Sequence, residues 1–167
     1  MRRPAVIYAS AGAALLLAAG YRFNLGPLTA ARLLILGGAL GVLALYDTRE
    51  RRIPNRIVLP AACACAALSL AEGIHPSTQL FLSAGVVLGL LCVSLAKPAV
   101  LGMGDVKLAL LILTALDAFA VRAFALTLEV YAIVAVVLLF ERGRAALRMS
   151  LPLAPITAAG CLIALLL

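Results

Sequence analysis

The chain has no tryptophan, one histidine and little charge, with only 13% of its 167 residues Asp, Glu, Lys or Arg. A soluble domain carries about 25% charged and roughly 45–50% apolar residues. Here 65% are hydrophobic and the mean hydropathy is +1.16. That leaves too little polar surface to face water, which excludes an ordinary soluble domain and points to an all-α integral membrane protein. Lack of tryptophan, and of any basic helix interleaved with aromatics, argues against nucleic-acid binding despite a net charge of +7. The lone His75 lies in a turn beside Pro76, so no Ser/His or Cys/His nucleophilic pair is available. Cys63, Cys65, Cys92 and Cys161 fall in apolar runs without a CxxC pair, and read as small buried hydrophobes rather than zinc ligands or disulfides.

What is there is a series of apolar runs. A spanning helix takes about 20 apolar residues, and a polytopic bundle of about seven transmembrane helices is expected, over 5–20, 31–46, 57–72, 79–96, 106–119, 122–140 and 152–167. Gly26-Pro27, Gly73 with Pro76, and Pro98 with Gly102 and Gly104 mark turns between them. With the N-terminus in the cytoplasm, eleven of the fourteen basic residues fall on the inside segments or their borders. They are Arg2, Arg3, Arg49, Arg51, Arg52, Arg56, Lys97, Lys107, Arg142, Arg144 and Arg148. Only Arg22, Arg32 and Arg122 fall outside. The asymmetry selects this orientation. Residues 1–20 also have the basic start, apolar core and small-residue end of a signal peptide; cleaved or retained, residue 21 emerges outside.

Two carboxylates stand out. Asp47 closes the second span in "LALYDTRERRIPN" and Asp105 opens the fifth in "VLGMGDVKL". Two complete spans separate them, and an even number of crossings returns the chain to one face. Both therefore sit at similar depth on the cytoplasmic side. Ionisable groups at membrane depth mark function by default, and a close carboxylate pair shares a proton. One member then activates water and the other protonates the carbonyl or the leaving amine, a route to peptide hydrolysis without a metal, a cofactor or a covalent intermediate. Gly102 and Gly104 permit positive φ and close backbone approach, and with Pro98 they predict a non-helical segment over 98–105 that admits an extended peptide. Plainer readings stand beside these: Asp47 as an interfacial charge paired with Arg49, Arg51 or Arg52, and Asp105 as a helix cap.

At these residues the sequence resembles a known family. "GMGD" at 102–105 matches the GxGD signature of intramembrane aspartyl peptidases, and "GMGDVKL" resembles its longer form in type IV prepilin peptidases. Asp47 followed by "TRERR" and Ile53-Pro54-Asn55 is similar to the motif around that family's first aspartate, and "LPLAPITAAG" at 151–160 to the start of its last helix. The resemblance implies a six-span peptidase core over 30–167, with residues 1–29 forming an extra N-terminal helix and outside loop. It implies Asp47 and Asp105 as the catalytic dyad and Gly102 and Gly104 as shaping the loop beside Asp105. It also implies cleavage of the basic leader from pilin-like precursors at the cytoplasmic face of a bacterial inner membrane, with contact to pilus assembly machinery. Larger members carry a cysteine-bearing insert and methylate the new N-terminus. This chain has neither insert nor CxxC and resembles the short, peptidase-only members of tight-adherence (Flp-type) pili.

Four further residues border this site. Lys107 faces lipid headgroups or steadies the local carboxylate charge. Pro54 and Asn55 start the third span, Asn55 as its cap. Glu129, inside the sixth span, is expected to face the bundle interior, as a polar contact or a site residue. Two other functions compete: a non-catalytic assembly factor of a pilus or secretion system, and an ion- or proton-coupled transporter subunit using Asp47, Asp105 and Glu129.

Overall fold

A computed structural model describes residues 26–73, 77–97, 101–143 and 153–167. Among them lie six α-helices: α1 (Pro27–Glu50), α2 (Asn55–Glu72), α3 (Thr78–Ala96), α4 (Met103–Leu116), α5 (Ala120–Arg142) and α6 (Leu153–Leu166). They cover the expected runs from 31–46 onward; the expected first span, His75 and Pro98 lie outside the described residues. Four stretches are long and apolar enough to cross a membrane: α1, α2, α3 and the 40-residue run Met103–Arg142. Unbroken, that last run would extend about 60 Å at 1.5 Å per residue, twice a hydrocarbon core of about 30 Å. It is interrupted at Asp117, whose φ of 46° and ψ of −113° end α4 and lead through a 3₁₀ turn, Asp117–Phe119, into α5. α6 is a shorter apolar helix.

α1 packs against α2, α4 and α6; α4 packs also against α2, α3 and α5, α6 along α5, and α3 against α5. Pro27 starts α1 at a position where its missing N–H costs nothing. Along α1 the buried residues Leu33, Leu36, Leu40, Leu43 and Asp47 recur every three or four positions, so Asp47 continues the core-facing stripe. α2 answers with Val58, Ala62, Cys65 and Ser69. The outward faces of α3 and α5 present Phe81, Leu82, Leu88, Leu95, Leu128, Ile133 and Phe140, each more than half exposed. A surface this apolar is matched to lipid. α5 and α6 approach closely at Gly160: a Cβ there would lie 2.8 Å from the Thr127 backbone.

Burial corrects the reading of the cysteines. Cys65 and Cys161 are buried, whereas Cys63 and Cys92 are exposed on α2 and α3. Residues 63 and 65 point to different sides of one helix, and only one side of α2 meets the core.

Candidate active site

Asp47 lies one turn from the end of α1 and is 8% exposed. Its carboxylate accepts a hydrogen bond of 2.8 Å from the backbone N–H of Ala154, in the first turn of α6. The opening N–H groups of a helix have no partner within it, and a carboxylate there is favoured by the hydrogen bond and by the helix dipole. Asp47 is therefore neither a loose interfacial charge nor, among the described residues, half of a salt bridge. It joins the end of α1 to the start of α6.

Asp105 is the third residue of α4, half-buried, with its N–H donating to the Gly102 carbonyl at 3.1 Å. Its carboxyl meets the Gly102 backbone and feels the like charge of Asp47. α1 and α4 are packed neighbours, with Asp47 near the end of the one and Asp105 at the start of the other. Leu108, Ile112 and Ala115 continue the stripe that Asp105 begins, as Leu43 and Leu40 do for Asp47. Each aspartate thus ends a helix face that is otherwise core.

The glycines act differently from the sequence expectation. Neither adopts positive φ; among the described glycines that conformation belongs to Gly73 and Gly143. Gly102 is extended, at φ −72° and ψ 146°, and precedes the first turn of α4. Gly104 is already inside α4, so the non-helical part of the expected loop ends at Gly102 and its residues 98–100 lie outside the described residues. What Gly104 provides is proximity: a Cβ there would lie 3.2 Å from Ile53 Cβ. The GxGD turn is pressed against the Ile-Pro-Asn turn.

A second tie joins the same two motifs. Lys107 Nζ donates to Asn55 Oδ1 at 2.9 Å. This corrects Asn55 as the helix cap: Pro54 occupies the cap position of α2, and Asn55 is the first helical residue, its side chain turned to α4. Glu129 is exposed on α5 and does not join the aspartates.

At the opposite end of the bundle is a cluster that sequence reasoning missed. Arg32, 6% exposed near the start of α1, forms salt bridges to Glu72 at the end of α2 and Asp117 at the end of α4. Thr29 donates to Glu72 at 2.6 Å and Ser69 to Asp117 at 2.9 Å. A signal was present: topology assigns all three charges to the outer ends of spans, and their signs are opposite.

The ends of α1 and α4 offer two carboxylates of unequal setting, one tied to a helix N-terminus and one half-open beside an extended glycine. Such a pair can divide the roles of base and acid. Neither a curated protein nor a solved structure matches the chain. The model of the type IV leader peptidase family matches residues 34–141, which include α1 from its second turn, both aspartates and most of α5. With that match over more than half its length, this multi-pass membrane protein belongs to the type IV leader peptidase family.

Proposed function

We propose that this peptidase is of the aspartic type, with Asp47 and Asp105 as its dyad, and that it removes the basic leader of pilin-like precursors at the cytoplasmic face of a bacterial inner membrane. One carboxylate, as base, takes a proton from water as the water attacks the scissile carbonyl. The other, as acid, protonates the departing amine. Family membership supports a prepilin-type peptidase with pilin-like substrates. What supports the aspartic reading is that two packed helices, α1 and α4, each carry one aspartate near an end, Asp47 buried on the core-facing stripe and Asp105 half-buried, with the charge of Asp47 acting on Asp105. An ionisable residue at membrane depth is a functional candidate by default.

Gly104 against Ile53, and Lys107 hydrogen-bonded to Asn55, support the dyad by joining the turn that follows Asp47 to the first turns of α4. Gly102 supplies an extended backbone edge next to Asp105, suited to pairing with the backbone of a peptide. The chain acts as a peptidase only, without methyltransferase activity. The test is co-expression with a candidate prepilin and an immunoblot for leader loss. Loss of the leader is expected with the wild-type chain. A precursor left intact by well-expressed enzyme contradicts the proposal for that substrate, and the same result across pilin-like substrates contradicts it altogether.

A further inference from the structure

A cavity of about 510 Å³ opens at the end of the bundle opposite the aspartates, within the range of about 300–1,000 Å³ of small-molecule sites. Its walls are mostly apolar, from Leu33, Leu80, Leu116, Phe119 and Leu165, among others. Its polar part is unevenly charged. Arg32 lines it with a side chain 7% exposed, and shares one guanidinium between Glu72 and Asp117. Two carboxylates on one cation leave one negative charge in excess. Arg122, exposed and also lining the cavity, makes no hydrogen bond or ion pair among the described residues. The Nε of Arg32 is likewise without an acceptor.

We infer that this cavity binds an amine-bearing zwitterionic phospholipid, its ammonium group toward Glu72 and Asp117, its phosphate on Arg122 and part of an acyl chain against the apolar wall. Three features of the ligand answer three features of the site. The surplus carboxylate charge calls for a cation with N–H donors. The unpaired Arg122 calls for an anion, and a guanidinium fits phosphate well. The apolar wall calls for hydrocarbon, which the surrounding bilayer supplies. A soluble aminophosphate leaves the wall unfilled, and a purely anionic lipid leaves the surplus carboxylate charge uncompensated. The inference does not depend on the peptidase mechanism, since the aspartates lie at the other end of α1 and α4.

The test is native mass spectrometry of the full-length chain, delipidated in detergent and then offered vesicles of phosphatidylethanolamine, phosphatidylglycerol or phosphatidylcholine. Phosphatidylcholine carries the same charges but has no ammonium N–H, so it isolates the carboxylate contact. Phosphatidylethanolamine is expected to remain bound as one molecule per chain, on the order of tenfold better than either of the others. Arg122→Gln, which removes the phosphate partner, and Leu80→Trp, which fills the cavity, should each lower that retention by about tenfold. Circular dichroism of the variants should stay at the wild-type helical signal. Equal retention of the three lipids, no retained lipid, or unchanged retention in a folded Arg122→Gln variant overturns the inference.

Discussion

Replacing Gly104 by valine tests how the two motifs are joined. A Cβ at 104 meets Ile53 at 3.2 Å from Cβ and 3.4 Å from Cδ1. Alanine needs a shift of only a few tenths of an ångström. That crowding is opposed by a helix-propensity gain of about 1 kcal/mol over glycine, so Gly104→Ala should retain most activity. Valine adds two more methyl groups in the same gap, and overpacking of this kind costs typically about 1–3 kcal/mol. The relief available is to push the start of α4 away from residue 53, which moves Asp105, the next residue along. A misplacement of about 1 Å can lower a rate by on the order of 10²-fold. Gly104→Val should therefore lose cleavage by about that factor while still accumulating in the membrane, and Ile53→Ala in the same chain should restore a measurable part of it. Gly89→Val is the control, because Gly89 is an exposed helical glycine of α3 with nothing within 4 Å of its Cβ position. The assay is leader loss by immunoblot, normalised to membrane-extracted enzyme. Full activity in Gly104→Val, or a double variant no better than the single one, refutes the reasoning.

Asp47 separates chemistry from architecture. Asp47→Asn keeps an oxygen for the Ala154 N–H and should cost little stability, whereas Asp47→Ala leaves that buried donor unpaired at about 1–3 kcal/mol. At about 2–4 °C per kcal/mol for a chain this size, thermal unfolding in detergent should rank wild type and Asn above Ala; equal midpoints for Asn and Ala contradict the cap. At the α5–α6 crossing, Gly160→Ala puts a methyl group 2.8 Å from the Thr127 backbone and should cost about 1–3 kcal/mol, read as a lower unfolding midpoint. No drop would mean that the two helices part freely there. Pilin processed by the purified chain should show an unmodified N-terminus by mass spectrometry, and a methylated product formed without another enzyme contradicts a peptidase-only chain.

Hydropathy made the membrane class and the helix positions legible because lipid-facing residues such as Phe81, Leu128 and Phe140 have to be apolar whatever they pack against. Crossing parity led to the expectation of Asp47 and Asp105 on one face for a similar reason: it depends on the number of spans between them and on no contact. Pairings between distant segments left no such local mark. The acceptor for Ala154 N–H is 107 positions away, and Lys107 reaches across 52 to Asn55. Gly104 is needed for the approach of Ile53, which no pattern around 104 reveals; conformational freedom was the reading available from the residue type alone. Glu129, expected inside, is exposed, and Arg32, counted as a border charge, is buried between two carboxylates. Charge in a span states that a side chain has a purpose but not toward which neighbour it turns.

The central claim is that both aspartates are needed, each for its exchangeable proton rather than its shape. The most direct measurement is cleavage of a prepilin by Asp47→Asn and Asp105→Asn chains, compared with wild type at equal amounts in the membrane. Asparagine preserves size and the hydrogen-bond acceptor but exchanges no proton at neutral pH, so each variant should leave the precursor almost entirely uncut while remaining folded and membrane-inserted. Near-normal processing by either one contradicts the dyad.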